Sequence, residues 1–119
     1  MKSLHKNDLN TFLERFDNAQ GGELVSLEMI SPTSFKIALT VQDKARAFDW
    51  VNLNLEFTDV SDAKLLDDKS LKAVDMQEGV NISFTPDGVE VGFGSSQYLS
   101  SPLHLRSNNV KYEETEFSL

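Results

Sequence analysis

The 119-residue chain contains no cysteine, which excludes thiolate metal sites, thiol nucleophiles and redox switches together. It has no stretch approaching the roughly 18 uninterrupted apolar residues of a membrane span. The first 25 residues also lack the apolar run of about 7 to 15 residues that a secretory signal requires, because Lys2, His5, Lys6, Asp8, Asn10 and Glu14 interrupt it. The expectation is a soluble, cytoplasmic protein with no membrane partner. Basic residues are scarce, 11 against 19 acids for a net charge of −8. A nucleic-acid duplex would be met by like charge with no basic stripe to hold it, so no nucleic-acid partner is expected. With 6 glycines and 3 prolines, and no repeat or linker, the composition is that of one globular domain over residues 1–119.

Leu9, Phe12, Leu13 and Phe16 fall at helical spacing and predict an amino-terminal helix, capped at Asn7 or Ser3 and stopped by Gly21-Gly22. The period then changes from 3.6 to 2. Val25, Leu27 and Met29, then Phe35, Ile37, Leu39 and Val41, predict a hairpin turning at Pro32. Val51, Leu53, Leu55 and Phe57 predict a third strand. Val80, Ile82 and Phe84 lead through Thr85-Pro86-Asp87-Gly88 into Val89, Val91 and Phe93, a hairpin signature in which proline presets φ and glycine accepts a positive one. Leu103 with Leu105, and Val110 with Tyr112, suggest two further strands joined at Ser107-Asn108-Asn109. Between the third and fourth strands, Asp67 or Asp68 as a cap, Leu71 with Val74, and Gly79 as a stop predict a short second helix.

The predicted fold is α+β, with the amino-terminal helix packed on a curved, mainly antiparallel sheet of about six to seven strands and a short second helix. One helix covers a strip about 10 to 12 Å wide, whereas six strands at about 4.8 Å span roughly 29 Å. The sheet must therefore curl, gain other cover, or bury its excess in a homodimer.

No reaction signature is present. His5 and His104 have no ligand-spaced partner, and His104, between Leu103 and Leu105, is expected on the wet face. Asp59 with Asp62, and Asp67 with Asp68, lack the alternating ligands, turn glycine and closing glutamate of a calcium loop. Gly92-Phe93-Gly94-Ser95-Ser96 lacks the third glycine and the following helix of a phosphate cradle. No catalytic residue, metal or cofactor is therefore expected.

The outward positions are mostly short polar residues with few long charges: Asn52, Asn54, Glu56 and Thr58, with Lys36, Thr40 and Gln42, and with Asn81, Ser83, Thr85, Glu90 and Gly92 expected on the same face. Short side chains lose little rotamer entropy on binding. Trp50 falls in register with this face, either closing one end of the core or anchoring a partner. The acids are densest over residues 59–79, six against three bases. Trp50, Asn52, Asn54, Asp59, Asp62, Asp67 and Asp68 are therefore the candidate partner-binding residues, and a basic protein the candidate partner.

The strand Val51-Asn52-Leu53-Asn54-Leu55-Glu56-Phe57-Thr58-Asp59-Val60, ending in Phe-x-x-Val and followed by the Gly79-Val80-Asn81-Ile82 strand and a further hairpin, resembles the middle of several small bacterial β-rich families of unknown function. Some of these are classed as immunity proteins that neutralise a toxin. The resemblance covers about half the chain and assigns no residue a role; it implies a non-enzymatic, protein-binding and immunity-like module. The other readings are a small-ligand-binding or enzyme domain using the concave side of the curled sheet, and a structural subunit of a homodimer.

Overall fold

The apolar rows of the strands converge from two directions on one core. The computed structural model describes residues 1–117. In chain order its elements are β1 (Lys2–Ser3), α1 (Leu9–Arg15), β2 (Glu23–Ser31), β3 (Ser34–Asp43), β4 (Asp49–Thr58), β5 (Asp62–Lys64), α2 (Asp68–Lys72), β6 (Val80–Thr85), β7 (Gly88–Phe93), β8 (Leu103–Ser107) and β9 (Asn109–Glu116). They form two antiparallel sheets, one in the order β1-β9-β4-β3-β2 and the other in the order β5-β8-β7-β6.

The α+β class and the antiparallel pairing agree with the sequence pattern, but the single curved sheet of six to seven strands does not. Among the described residues there are nine strands, divided between two sheets. Alternation shows which side of a strand is apolar and is silent about which neighbour it pairs with. The chain leaves the first sheet after β4 at Asp59, where φ is 54°, and returns between β8 and β9 at Asn108. Two backbone hydrogen bonds pin this corner: Ser61 N–H to the Arg106 carbonyl at 2.8 Å and Asn108 N–H to the Thr58 carbonyl at 3.2 Å. Consequently Val110 and Tyr112 pair beside β4 while Leu103 and Leu105 pair beside β7.

The second sheet supplies the cover that one helix cannot. Ile37, Leu39, Leu53, Leu55 and Phe57 from the first sheet, and Val89, Val91, Phe93, Leu103 and Leu105 from the second, are all buried in one cluster. Each fully buried side chain of this size contributes about 1.5 to 3 kcal/mol, so these rows dominate the fold's stability.

The helix is shorter than its pattern suggests and closes the open end of the core. Phe12 meets Phe16 edge-on with ring centroids 5.1 Å apart and Tyr112 with centroids 4.9 Å apart. After Arg15 the chain does not continue helically to the glycines: Asp17, Asn18 and Ala19 have φ of 53°, 53° and 57°, a conformation that strains non-glycine residues. Tertiary contacts hold it in place, since Ala19 is buried and Gly21 N–H donates to the Met76 carbonyl at 2.9 Å. The second helix forms but ends at Lys72, before Val74 and the expected stop at Gly79; its cap is Asp67, whose carboxylate accepts from Ser70 N–H at 2.7 Å, with Leu71 buried beneath.

Candidate functional site

The outer face of the first sheet is open, and the cross-strand register fixes what it presents. One row reads Glu23–Thr40–Asn52–Thr115, the next Ala38–Asn54–Glu113, and the next Glu28–Lys36–Glu56–Lys111. Beyond the first row Trp50 stands opposite Gln42, and Phe117 follows the end of β9 on the same side by alternation. Trp50 is 44% exposed and Phe117 40%, so the indole is an outer-face group and does not close the core. Together with Gly21, Glu23 and Thr40 these two aromatics line a groove of about 280 Å³. The hydroxyl-bearing Thr40 is only 9% exposed and forms part of its wall. Asn52 donates to the Glu116 carbonyl at 3.4 Å, and Asn54 lies half-buried between Ala38 and Glu113.

The outer face of the second sheet is roofed. Asn81 and Ser83 lie here, on the opposite surface of the molecule from Asn52 and Asn54, which corrects the expectation of one shared polar face. The segment from Ser95 to Ser101 folds back over it: the Asn81 amide donates to the Ser95 carbonyl at 2.8 Å and to Ser101 Oγ at 3.0 Å. Gly92 makes this possible, because a Cβ there would run into Ser101 Oγ. Tyr98 covers His104 with ring centroids 4.4 Å apart and donates its hydroxyl to Asp62 at 3.0 Å. His104 is on the outer side as expected, yet it is only 8% exposed, with Nδ1 unpartnered. Burial and the Asp62 acceptor push the Tyr98 phenol above its ordinary value. Arg106, between Asp62 and Glu90 in the strand order, donates to Glu90 from Nε at 2.9 Å.

The seven candidate residues are therefore divided. Trp50, Asn52 and Asn54 share the open face. Asp59 is at the far corner, nine residues along, about 30 Å at a rise of roughly 3.3 Å per residue. Asp62 is engaged by Tyr98, Asp67 caps α2, and Asp68 occupies that helix's first turn. The Ser70 backbone N–H holds the Asp67 carboxyl below the usual carboxylate range.

One functional-looking pair escaped the sequence pattern. Asp43 continues the inward row of β3 and its side chain is fully covered. Arg15 donates to it from α1, and Glu114 lies 3.2 Å from the same Nη2. The pair closes the core beside an open cleft of about 400 Å³ lined by Thr11, Glu14, Arg15, Lys44 and Ala45, with the Asp43 carboxylate itself covered. A cleft of about 630 Å³ between the start of β2 and the segment after α2 is lined by Gly21–Val25 and Lys72 with Val74–Gln77; it holds Glu23, Lys72 and Asp75 but no buried titratable side chain. Among the described residues no group of three histidine or carboxylate side chains is placed to hold a metal, and no helix is long and apolar enough to cross a membrane.

The architecture is thus a two-sheet antiparallel sandwich plugged by one helix, with one outer face roofed and the other open. No protein family, curated protein or solved structure matches the chain.

Proposed function

We propose that this protein is a non-enzymatic binding module that occludes a basic protein partner through the open face of its first sheet, with Trp50 as the anchor. The observation that carries this reading is the placement of Trp50: a large aromatic 44% exposed at one end of an outer face of short polar and charged side chains that no other described element covers. Aromatic anchors ringed by groups that exclude water are the usual centres of binding energy. The charge suits a basic partner. The net charge is −8, and among the described residues Glu23 and Glu113 on this face take part in no ion pair. An immunity-like role in the cytoplasm of a bacterial cell is consistent with such occlusion.

The test is capture from a native host with wild type and Trp50→Ala in parallel, followed by association kinetics with the purified captured protein. Loss of about 2 kcal/mol or more of affinity through a faster off-rate, together with an on-rate that falls as salt is raised, supports the reading. Equal affinity of wild type and Trp50→Ala for every captured protein would remove the open face as the working surface.

A further inference from the structure

The groove beside Trp50 has a chemistry of its own, and resting on the reading above it specifies what a partner must insert. Its lining includes two aromatic side chains, Trp50 and Phe117, together with Glu23, which also borders the neighbouring cleft that holds Lys72, and Gly21 contributes no side chain to fill it. The two rings do not occupy each other. Among the described residues the aromatic pairs are Phe12 with Phe16, Phe12 with Tyr112, and Tyr98 with His104, so the space between indole and phenyl is open to a guest. At about 280 Å³ it falls below the roughly 300 to 1,000 Å³ of pockets that enclose a whole small molecule. The guest is of side-chain size.

Charge selects the kind of side chain. Aromatic faces carry negative quadrupole potential and attract a cation within about 6 Å of the ring centroid. A carboxylate in the lining adds to that attraction, and Glu23 makes no salt bridge among the described residues. An acidic guest would be repelled by Glu23, and a purely apolar one would strip water from the carboxylate without compensation. We propose that the Trp50–Phe117–Glu23 groove is a cation-binding cage that receives a lysine or arginine side chain of the basic partner, the alkyl stem lying along the rings and the charged head meeting Glu23.

Trp50 is the sole tryptophan in the chain, so its fluorescence reports the groove directly. The probe is hexalysine, titrated at low salt into wild type, Glu23→Gln, Phe117→Ala and Glu28→Gln, with fully Nε-acetylated hexalysine as the neutral control. Glu28 lies on the same face, two rows from Glu23 in the register, and its substitution removes the same net charge. A saturable change in Trp50 emission is expected, weakened about tenfold by acetylation and several-fold by Glu23→Gln and by Phe117→Ala, but unaltered by Glu28→Gln. The cage is overturned if Trp50 emission does not respond, if the acetylated peptide binds equally well, or if Glu28→Gln weakens binding as much as Glu23→Gln. Those results leave the wider reading separately testable. A captured partner that still depends on Trp50 would then bind the open face by other chemistry.

Discussion

Arg15 grips both carboxylate oxygens of Asp43, donating from Nε at 2.9 Å and from Nη2 at 2.8 Å, across 28 residues of sequence. The contact ties α1 to the end of β3, where the buried Asp43 carboxylate also accepts from Ala45 N–H at 2.9 Å and lies 3.6 Å from Arg46 Nε. Removing Arg15 takes away the two strongest of its donors and leaves Ala45 N–H and Arg46, a loss of about 1 to 3 kcal/mol. Arg15→Ala should therefore destabilise the protein by about that amount, and Asp43→Asn by less, because the amide keeps the shape while losing the charge. Urea unfolding of the two variants measures it.

The same contact sets a pH dependence. The Arg15 hydrogen bond holds the Asp43 carboxyl below its ordinary range, outweighing the upward push of burial. The folded state thus binds this proton more weakly than the unfolded chain, whose aspartates titrate near 3.9. The stabilisation is complete above that value and is lost as pH falls through the lower, folded one. The gap in unfolding free energy between wild type and Asp43→Asn should stay constant from about pH 7 down to about 5, then narrow below about 4. A gap that widened on acidification would contradict the assignment.

Tyr98 gives the opposite sign. Its phenol titrates above the usual value of about 10, held neutral by burial and by donation to Asp62. The stabilisation it lends is present below pH 10 and is lost as pH rises through the higher, folded value. Tyr98→Phe should cost about 0.5 to 1.5 kcal/mol at neutral pH, with the difference shrinking only above about pH 10. Ultraviolet absorbance of tyrosinate, compared between wild type and this variant, should show the Tyr98 contribution appearing late.

Gly92→Ala tests the roof itself. A Cβ there would meet Ser101 Oγ and the Asn81 amide, so the segment from Ser95 to Ser101 should lift and uncover His104. Faster proteolysis within Gln97–Ser101, with the two sheets still folded by circular dichroism, is the expected outcome. Resistance equal to wild type would mean that the roof adapts without opening.

At the Pro86-Asp87-Gly88 turn, Gly88 has φ of 141° and its α-carbon faces the Ser107 carbonyl. Gly88→Val should cost on the order of 2 kcal/mol or more, from backbone strain and the clash together. Asp87→Asn should be mild, because the exposed turn position tolerates either residue. Paired denaturant curves would show the difference.

Much of the element inventory is legible in the chain because alternation and turn chemistry are local. Pro32-Thr33 and Pro86-Asp87 do close two-residue turns, Asp67 does cap a helix, and Leu103, Leu105, Val110 and Tyr112 do lie on strands. Partition between sheets is different. It depends on Asp59 adopting a left-handed conformation and on the turn at Asn108 passing between sheets; a break at Ser107-Asn108-Asn109 is legible, but the change of sheet it makes is not. The three-residue β5 is too short to show a period. For the site, parity alone placed Trp50, Asn52 and Asn54 on one outward face, and continuing that parity along β9 would have found Phe117. The Arg15–Asp43 pair and the Tyr98–Asp62 contact join residues 28 and 36 apart, which no periodicity connects.

The position of β9 has a bearing on synthesis. It lies between β1 and β4 in the first sheet, so β4 keeps one unpaired edge until residues 109–116 have been made. Thr58 and Glu116 are separated by 58 residues, and at about 5 to 20 residues per second the ribosome takes roughly 3 to 12 s to bridge them. Throughout that interval Val51, Leu53, Leu55 and Phe57, later buried, stand beside an open ladder on the nascent chain. An edge of this kind recruits other chains, so crowding of unfinished copies during rapid overproduction should favour inclusion bodies over the folded protein.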